Sequence, residues 1–194
     1  AIPQEKSGHK ALNTLFQLYQ ALKELRAKRH AMEFETVETY MTFDELGGIK
    51  EILPRTRNDA HKLIEECMLL ANVAAAEYSL EHDIPMLYRV HEAPEFSRIQ
   101  KVRDFVKLLG LPFPEQPTQA DYQRVIEATK DRLDAPSIHA VLLRSMMQAY
   151  YGANNAGHYG LAYEAYTHFT SPIRRYPDLL LHRAIKAYLD TKTY

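Results

Sequence analysis

The sequence predicts an α+β fold dominated by helices, and three observations carry that expectation. Apolar residues recur at steps of three and four over most of the chain, the spacing of one side of a helix. Strict alternation of side chains occurs in one short stretch, around residues 37–53. One hairpin with, at most, two further extended stretches cannot build a sheet that stands alone, so helices must supply most of the core.

The elements follow in order. Leu12, Leu15, Phe16, Tyr19, Leu22 and Leu25 predict a first helix over 10–29, which ends in the basic run Lys23, Arg26, Lys28, Arg29 and His30. Val37, Thr39, Met41 and Phe43 then alternate with Glu38, Tyr40 and Thr42, and Asp44-Glu45-Leu46-Gly47-Gly48 turns the chain into Ile49–Leu53. That is a β-hairpin, stopped by Pro54. A long alanine-rich helix is predicted over 57–82 and is ended by Ile84-Pro85, after which Leu87–Val90 reads as a short extended stretch. Three helices follow at 95–109, 118–131 and 136–150. Gly110 closes the first, Leu111-Pro112-Phe113-Pro114 and Pro117 lead into the second, and Pro136 suits the first turn of the third. Tyr151–Gly160 reads as a loop, Leu161–Phe169 fits neither period, and Pro177–Leu189 predicts a last helix. Strand edges left without a partner are expected to be exposed and to offer a route to self-association.

A chain of 194 residues with 46% hydrophobic and 25% charged residues suits one globular unit. No run of about eighteen apolar residues occurs, and Ala1–Lys10 has neither a basic leader nor an apolar segment, so a cytoplasmic chain without a membrane partner is expected. The one cysteine, Cys67, excludes an intrachain disulfide and a cysteine zinc cage, and it sits on an apolar stripe with Leu63, Ile64, Met68 and Ala71. A net charge of −1 lacks the basic excess common in nucleic-acid binders, so such a function must rest on local clusters. Two exist: the run at the end of the first helix, and Arg174, Arg175, His182, Arg183 and Lys186. Charge runs of this kind are commonly solvated faces.

The densest constellation is Thr167-His168-Phe169-Thr170-Ser171-Pro172-Ile173-Arg174-Arg175-Tyr176-Pro177-Asp178. Pro172 and Pro177 stiffen the connection that presents the two arginines just before a helix N-terminus. Free backbone N–H groups and the positive end of the helix dipole favour an anion there, and a guanidinium adds a planar two-pronged donor for phosphate. The same residues also fit a capped helix start whose arginines pair with Asp178, and composition does not choose between the two.

On the long second helix Asn58, His61, Glu65 and Asn72 share one face. For Asn58 and His61 a solvent-facing role is the simpler reading. Asn72 differs, because it is the only polar side chain between Cys67 and Ala76 and its amide must find partners in an apolar setting. Glu65 and Glu66 are adjacent and point about 100° apart, so they cannot easily serve one ion and Glu66 is set aside as a ligand.

Three blocks together resemble a known family. Arg57–Met68 continuing to Asn72, Leu87-Tyr88-Arg89-Val90-His91-Glu92, and His168–Leu179 with His182-Arg183 are similar to the RNB catalytic domain of the ribonuclease R and ribonuclease II exoribonucleases. Their order and spacing match, and Leu12–Arg29 and Phe34-Glu35-Thr36 extend the likeness to nearly the whole chain. The resemblance implies a parent enzyme that removes nucleoside 5′-monophosphates from the 3′ end of single-stranded RNA with Mg²⁺ held by an aspartate cluster. It implies further that residues 1–194 are the C-terminal half of that domain. The aspartates and the S1-type module would then lie outside it, so the chain alone would be inactive and would hold no metal. Arg174 is implied to be the catalytic cation, Arg175 to bind phosphate, Ser171 to bind RNA, and Asn58, His61, Glu65 and Asn72 to line the RNA channel.

Two other classes remain open at this point. One is a non-catalytic RNA-binding module that keeps the basic clusters. The other is a metal phosphohydrolase built on His82-Asp83 with His61 or His91 as further ligands.

Overall fold

The computed structural model describes residues 9–32, 34, 39–54 and 58–190. Val37, Glu38 and Arg57, used in the reading of the sequence, lie outside the described residues. Helix α1 (His9–Lys28) lies against α2 (Asp59–Glu81). An ion pair from Arg26 to Glu66 at 2.6 Å ties the two helices together. Of the α1 stripe Tyr19 is buried, whereas Leu12, Leu15, Phe16 and Leu25 remain exposed.

Between these helices β1 (Thr39–Phe43) and β2 (Ile49–Pro54) form the expected antiparallel hairpin, with Thr39 opposite Pro54 and a bulge between Thr42 and Phe43. Its turn is set by Asp44, whose Oδ1 accepts the N–H groups of Leu46 and Gly48 at 2.9 and 2.7 Å, and by Gly47 at φ +81°. Tyr40, Met41, Phe43, Ile49 and Ile52 are all exposed, so both faces of the hairpin show apolar side chains.

The main core lies at the other end of the chain order. Val102 and Val106 of α3 (Phe96–Leu108) meet Tyr122, Val125 and Ile126 of α4 (Gln119–Thr129) and Leu142 of α5 (Ala135–Ser145), with Met32 and Met146 closing the cluster. A capping box starts α4, with Thr118 Oγ1 and N both donating to Asp121 Oδ2 at 2.8 and 2.9 Å.

Helix α5 is shorter than the expected 136–150. It stops at Ser145, and residues Met147 to Ala149 leave it for an extended path even though their helix propensities are good. The reason is tertiary. Strand β4 (Tyr150–Gly152) pairs antiparallel with β3 (Tyr88–Val90), Tyr88 opposite Gly152 and Val90 opposite Tyr150. Of the two, only β3 falls in a stretch expected to be extended, whereas β4 lies where the end of a helix and the start of a loop were expected. Leu161–Phe169, which fits no period, follows a 3₁₀ turn at Tyr159–Leu161 and a left-handed Ala162 at φ +54°. It returns along β3 through a Tyr88–Thr167 bridge. Helix α6 (Tyr176–Leu189) ends the described chain.

Of the apolar stripe expected on α2, Leu63, Cys67, Met68 and Ala71 are half-buried and Ile64 is exposed, while Glu66, Asn72, Ala75, Ala76 and Ser79 are buried. That helix therefore turns polar side chains inward, and each of the three has a partner: Glu66 has Arg26, Ser79 has the carbonyl of Ala75 at 2.8 Å, and Asn72 is described next. Among the described residues no helix is long and apolar enough to cross a membrane.

Candidate functional site

Two buried side chains, from helices on either side, fix the segment 167–175. Asn72 on α2 is 3% exposed. Its Oδ1 accepts the N–H groups of Phe169 at 2.8 Å and Thr170 at 3.2 Å, and its Nδ2 donates to Tyr166 Oη at 2.9 Å. Three of the four hydrogen bonds open to a buried amide are thus turned on Tyr166 and the start of this segment.

Asp178, in the first turn of α6, is 0% exposed. Its Oδ1 accepts Ser171 N–H at 2.8 Å and two guanidinium donors of Arg175, Nη2 at 2.8 Å and Nε at 3.1 Å. Oδ2 has no partner among the described residues. The carbonyl of Ser171 in turn accepts the N–H groups of Arg174 at 3.2 Å and Arg175 at 3.0 Å, so 171–175 is a closed turn leading into the helix. His182, one turn further along α6, stacks on Phe169 with ring centres 4.0 Å apart and bonds the Phe169 carbonyl through Nε2 at 2.9 Å.

The consequence for the two arginines is opposite. Arg175 is held inward by the buried carboxylate, with its side chain 20% exposed. Arg174 is exposed, and among the described residues its guanidinium makes no hydrogen bond or ion pair. The alternative of an arginine paired with Asp178 thus describes Arg175, and Arg174 is the one presented outward.

Beside this turn lies a cluster of aromatic rings and histidines. His168 Nδ1 is 2.6 Å from Tyr151 Oη, and the two rings meet edge to face at 5.6 Å. Burial, followed by the charge of Arg175, pushes the His168 imidazole down to about 4, and Arg89 and Arg174 act in the same direction. Arg89 on β3 has its guanidinium carbon 4.9 Å from the centre of the Tyr151 ring. His91 and His158 meet edge to face at 5.0 Å and receive backbone N–H groups on Nδ1, from Gly160 at 3.0 Å and Leu161 at 3.2 Å. Burial and then His91 push His158 down to about 3, and burial also lowers His91. Gly160 is needed for the approach, since a Cβ there would stand 2.9 Å from His91 Nδ1.

The other residues expected at a site are placed less centrally. Asn58 and His61 form the capping box of α2, with Asn58 Oδ1 accepting His61 N–H at 3.1 Å, and both are exposed. Glu65 is half-buried on the same helix. His82 is stacked among aromatic rings, 4.4 Å from Tyr78 and 5.1 Å from Tyr188, and His91 is committed to Gly160. Among the described residues no three His, Cys, Asp or Glu side chains come together to hold a metal ion, so His61, His82, Asp83 and His91 do not assemble the phosphohydrolase centre. Reading the sequence missed Arg89, Tyr151 and the Glu66–Arg26 pair. The lone arginine within the short extended stretch 87–90 was the available signal for the first.

Residues 2–191 match the RNB domain family. The chain is 52% identical over 183 residues to ribonuclease R of Vibrio parahaemolyticus, covering 93% of this chain and 22% of that protein. It is 46% identical over 182 residues to ribonuclease R of Escherichia coli, again with 93% and 22% covered. Ribonuclease R of Mycoplasma genitalium, solved in complex with ribose-methylated single-stranded RNA, superimposes with a TM-score of 0.89 at 28% identity, over 100% of this chain and 31% of that one. The chain therefore spans about a fifth of the length of the curated relatives it matches.

Proposed function

The chain belongs to the RNB domain family, and from that premise we propose that it is part of the catalytic domain of a 3′-to-5′ exoribonuclease that releases nucleoside 5′-monophosphates. One observation carries the placement of the chemistry. Of two adjacent arginines on a doubly anchored turn, one is neutralised by a buried carboxylate and the other is left to solvent.

In this reading the Arg174 guanidinium faces the scissile phosphate. A planar cation held by a stiff turn stabilises charge that develops on phosphoryl oxygens without having to reorganise as the bond breaks. Arg175 acts mainly on the turn itself: with Nε and Nη2 given to Asp178, its charge is largely offset, and one end of its fork is left for a phosphate. Ser171 closes the turn through its backbone, and Asn72 holds the preceding two residues. Asn58, His61 and Glu65 lie further along α2 as channel-wall residues.

The family implies a divalent metal, Mg²⁺ in the parent enzyme, and the described residues do not fit one. The metal-holding carboxylates are accordingly assigned to other parts of the parent, and the isolated chain is a piece of channel wall that binds RNA without cleaving it. Single-stranded RNA is the partner, a reading supported by the RNA held in the Mycoplasma genitalium relative, and the family resemblance has it enter by its 3′ end.

The test has two arms. The pure 194-residue chain, given single-stranded RNA and Mg²⁺, is expected to release no nucleoside monophosphate, and release would overturn the assignment of the carboxylates. In the parent enzyme Arg174→Ala is expected to lower kcat by roughly 10²–10³-fold, as loss of one preorganised charge-stabilising donor does. Arg174→Lys keeps the charge without the planar fork and recovers only part of that rate. A normal single-turnover rate in a stably folded Arg174→Ala enzyme would remove Arg174 from the chemistry.

A further inference from the structure

Arg89 occupies a position that the structure prepares and, among the described residues, leaves without a counter-charge. It stands directly opposite Tyr151 across the β3–β4 pair, so the two side chains share a face, while Val90 beside it points into the core and is fully buried. The Tyr151 ring beneath the guanidinium is itself held, because its hydroxyl is 2.6 Å from His168 Nδ1. The backbone of Arg89 is fixed as well, its N–H donating to the Tyr166 carbonyl at 2.8 Å.

Other half-buried arginines of the molecule have oxygen partners. Arg175 has Asp178, Arg26 has Glu66, Arg98 bonds the Met146 carbonyl at 2.9 Å, and Arg29 bonds the Leu161 carbonyl at 3.3 Å. Arg89, also a half-buried residue, has among the described residues only the face of Tyr151 against its guanidinium. A partly desolvated cation is costly to hold without an anion. The ring attracts the cation from one side and leaves its N–H edges open for a planar acceptor. Arg89 and the outward Arg174 are both electrostatic neighbours of His168. With two guanidinium groups in the neighbourhood of His168, the acceptor expected is a chain of phosphates and not a single ion.

We propose that Arg89 binds a backbone phosphate of single-stranded RNA, distinct from the phosphate met by Arg174, with Tyr151 as the fixed platform under its guanidinium. This rests on the reading of the surface as an RNA channel and not on any catalytic role for Arg174. The contact is with the backbone, so it serves every base alike and acts on affinity and register.

Binding of a fluorescein-labelled oligouridylate to the 194-residue chain across a salt series tests it, with melting curves of each variant taken in parallel. Arg89→Gln is expected to weaken binding roughly tenfold at low salt, the worth of one charged hydrogen-bonded contact. It should also make the log–log salt slope shallower by about one, the signature of one lost phosphate contact. Arg89→Lys is expected to keep the slope while losing part of the affinity. In the unaltered chain the Nε–H resonance of Arg89, identified by its loss in the lysine variant, should shift as oligouridylate is added, which gives a readout even if the glutamine variant folds poorly. Unchanged affinity and slope in a folded Arg89→Gln chain, or an Arg89 resonance indifferent to saturating RNA, would overturn the inference. Absence of RNA binding by the unaltered chain would overturn the channel reading and this inference together. Loss of affinity in Arg89→Gln beside normal catalysis in the Arg174→Ala parent enzyme would uphold Arg89 and sink the role given to Arg174.

Discussion

Asn72→Ala is the substitution that tests most directly how the arginine turn is held. The side chain makes three hydrogen bonds, at 2.8, 2.9 and 3.2 Å, and all three reach the segment 166–170 from a residue more than ninety positions earlier. Each intramolecular bond is worth about 1 kcal/mol net, but truncation also leaves two backbone N–H groups and a tyrosine hydroxyl facing a small apolar cavity, at about 1–3 kcal/mol for each group that water cannot reach. Tyr166 is itself buried, so its hydroxyl has no easy substitute, whereas Phe169 and Thr170 are half-buried and their N–H groups can shift toward solvent. A total of about 2–4 kcal/mol follows, which for a chain of this size lowers Tm by roughly 5–15 °C. Urea unfolding monitored by far-ultraviolet circular dichroism measures the loss. The parent enzyme should lose turnover at temperatures where it remains folded, because the turn carrying Arg174 is released before the rest. Asn72→Asp keeps the two acceptor bonds and loses the donor, so its turn should stay in place at neutral pH while the buried charge costs stability. A loss below about 0.5 kcal/mol for Asn72→Ala, within the range of an ordinary surface change, would refute the reasoning.

Two further outcomes are expected. Asp178→Ala leaves the Arg175 guanidinium and the Ser171 N–H without their acceptor, and breaking a buried pair in this way should cost about 3–5 kcal/mol; Arg175→Ala leaves the fully buried carboxylate without its counter-charge and should cost a comparable amount, and denaturant melts of both variants measure it. His158 is neutral in the fold and takes a proton in the unfolded chain below about pH 6.5, so its contribution is complete above that pH, falls as acid is added and levels off near the folded value of about 3. Between pH 6.5 and 5 that amounts to at most about 2 kcal/mol, and the pH slope of Tm over this window should flatten in His158→Gln.

Local elements were legible in the residues because local physics sets them. The helix starts at Asn58 and Thr118, the turn at Asp44–Gly48 and the proline-led entry to α6 all depend on neighbours three or four positions away. Asn72 was legible for a different reason, as the one amide in an apolar run that had to be satisfied somewhere. What was not legible depends on partners remote in the chain. The end of α5 at Ser145 is decided by the β3–β4 pairing, about sixty residues apart, against good helix propensity. The inward turn of Glu66 is decided by Arg26, forty positions earlier. The assignment of Asp178 to Arg175 and not Arg174 needed the closed turn at Ser171. Arg89 had no visible role until Tyr151 was placed across from it.

The β1–β2 hairpin has a topological consequence. It is inserted between α1 and α2, and those helices touch each other and are joined by the Arg26–Glu66 ion pair, so the chain makes a closed loop whose neck is already fastened. An isolated two-stranded hairpin is marginal in water, and its exposed faces draw little help from the described residues. It can therefore open and reclose as a separate thermodynamic unit while the neck stays shut. Shortening the insert would change the loop-closure entropy only logarithmically with its length. Events at the hairpin tip reach the arginine turn through the neck, at Arg26 and Glu66, and through the segment leaving α1, where the Met32 N–H donates to the Gly160 carbonyl at 3.0 Å.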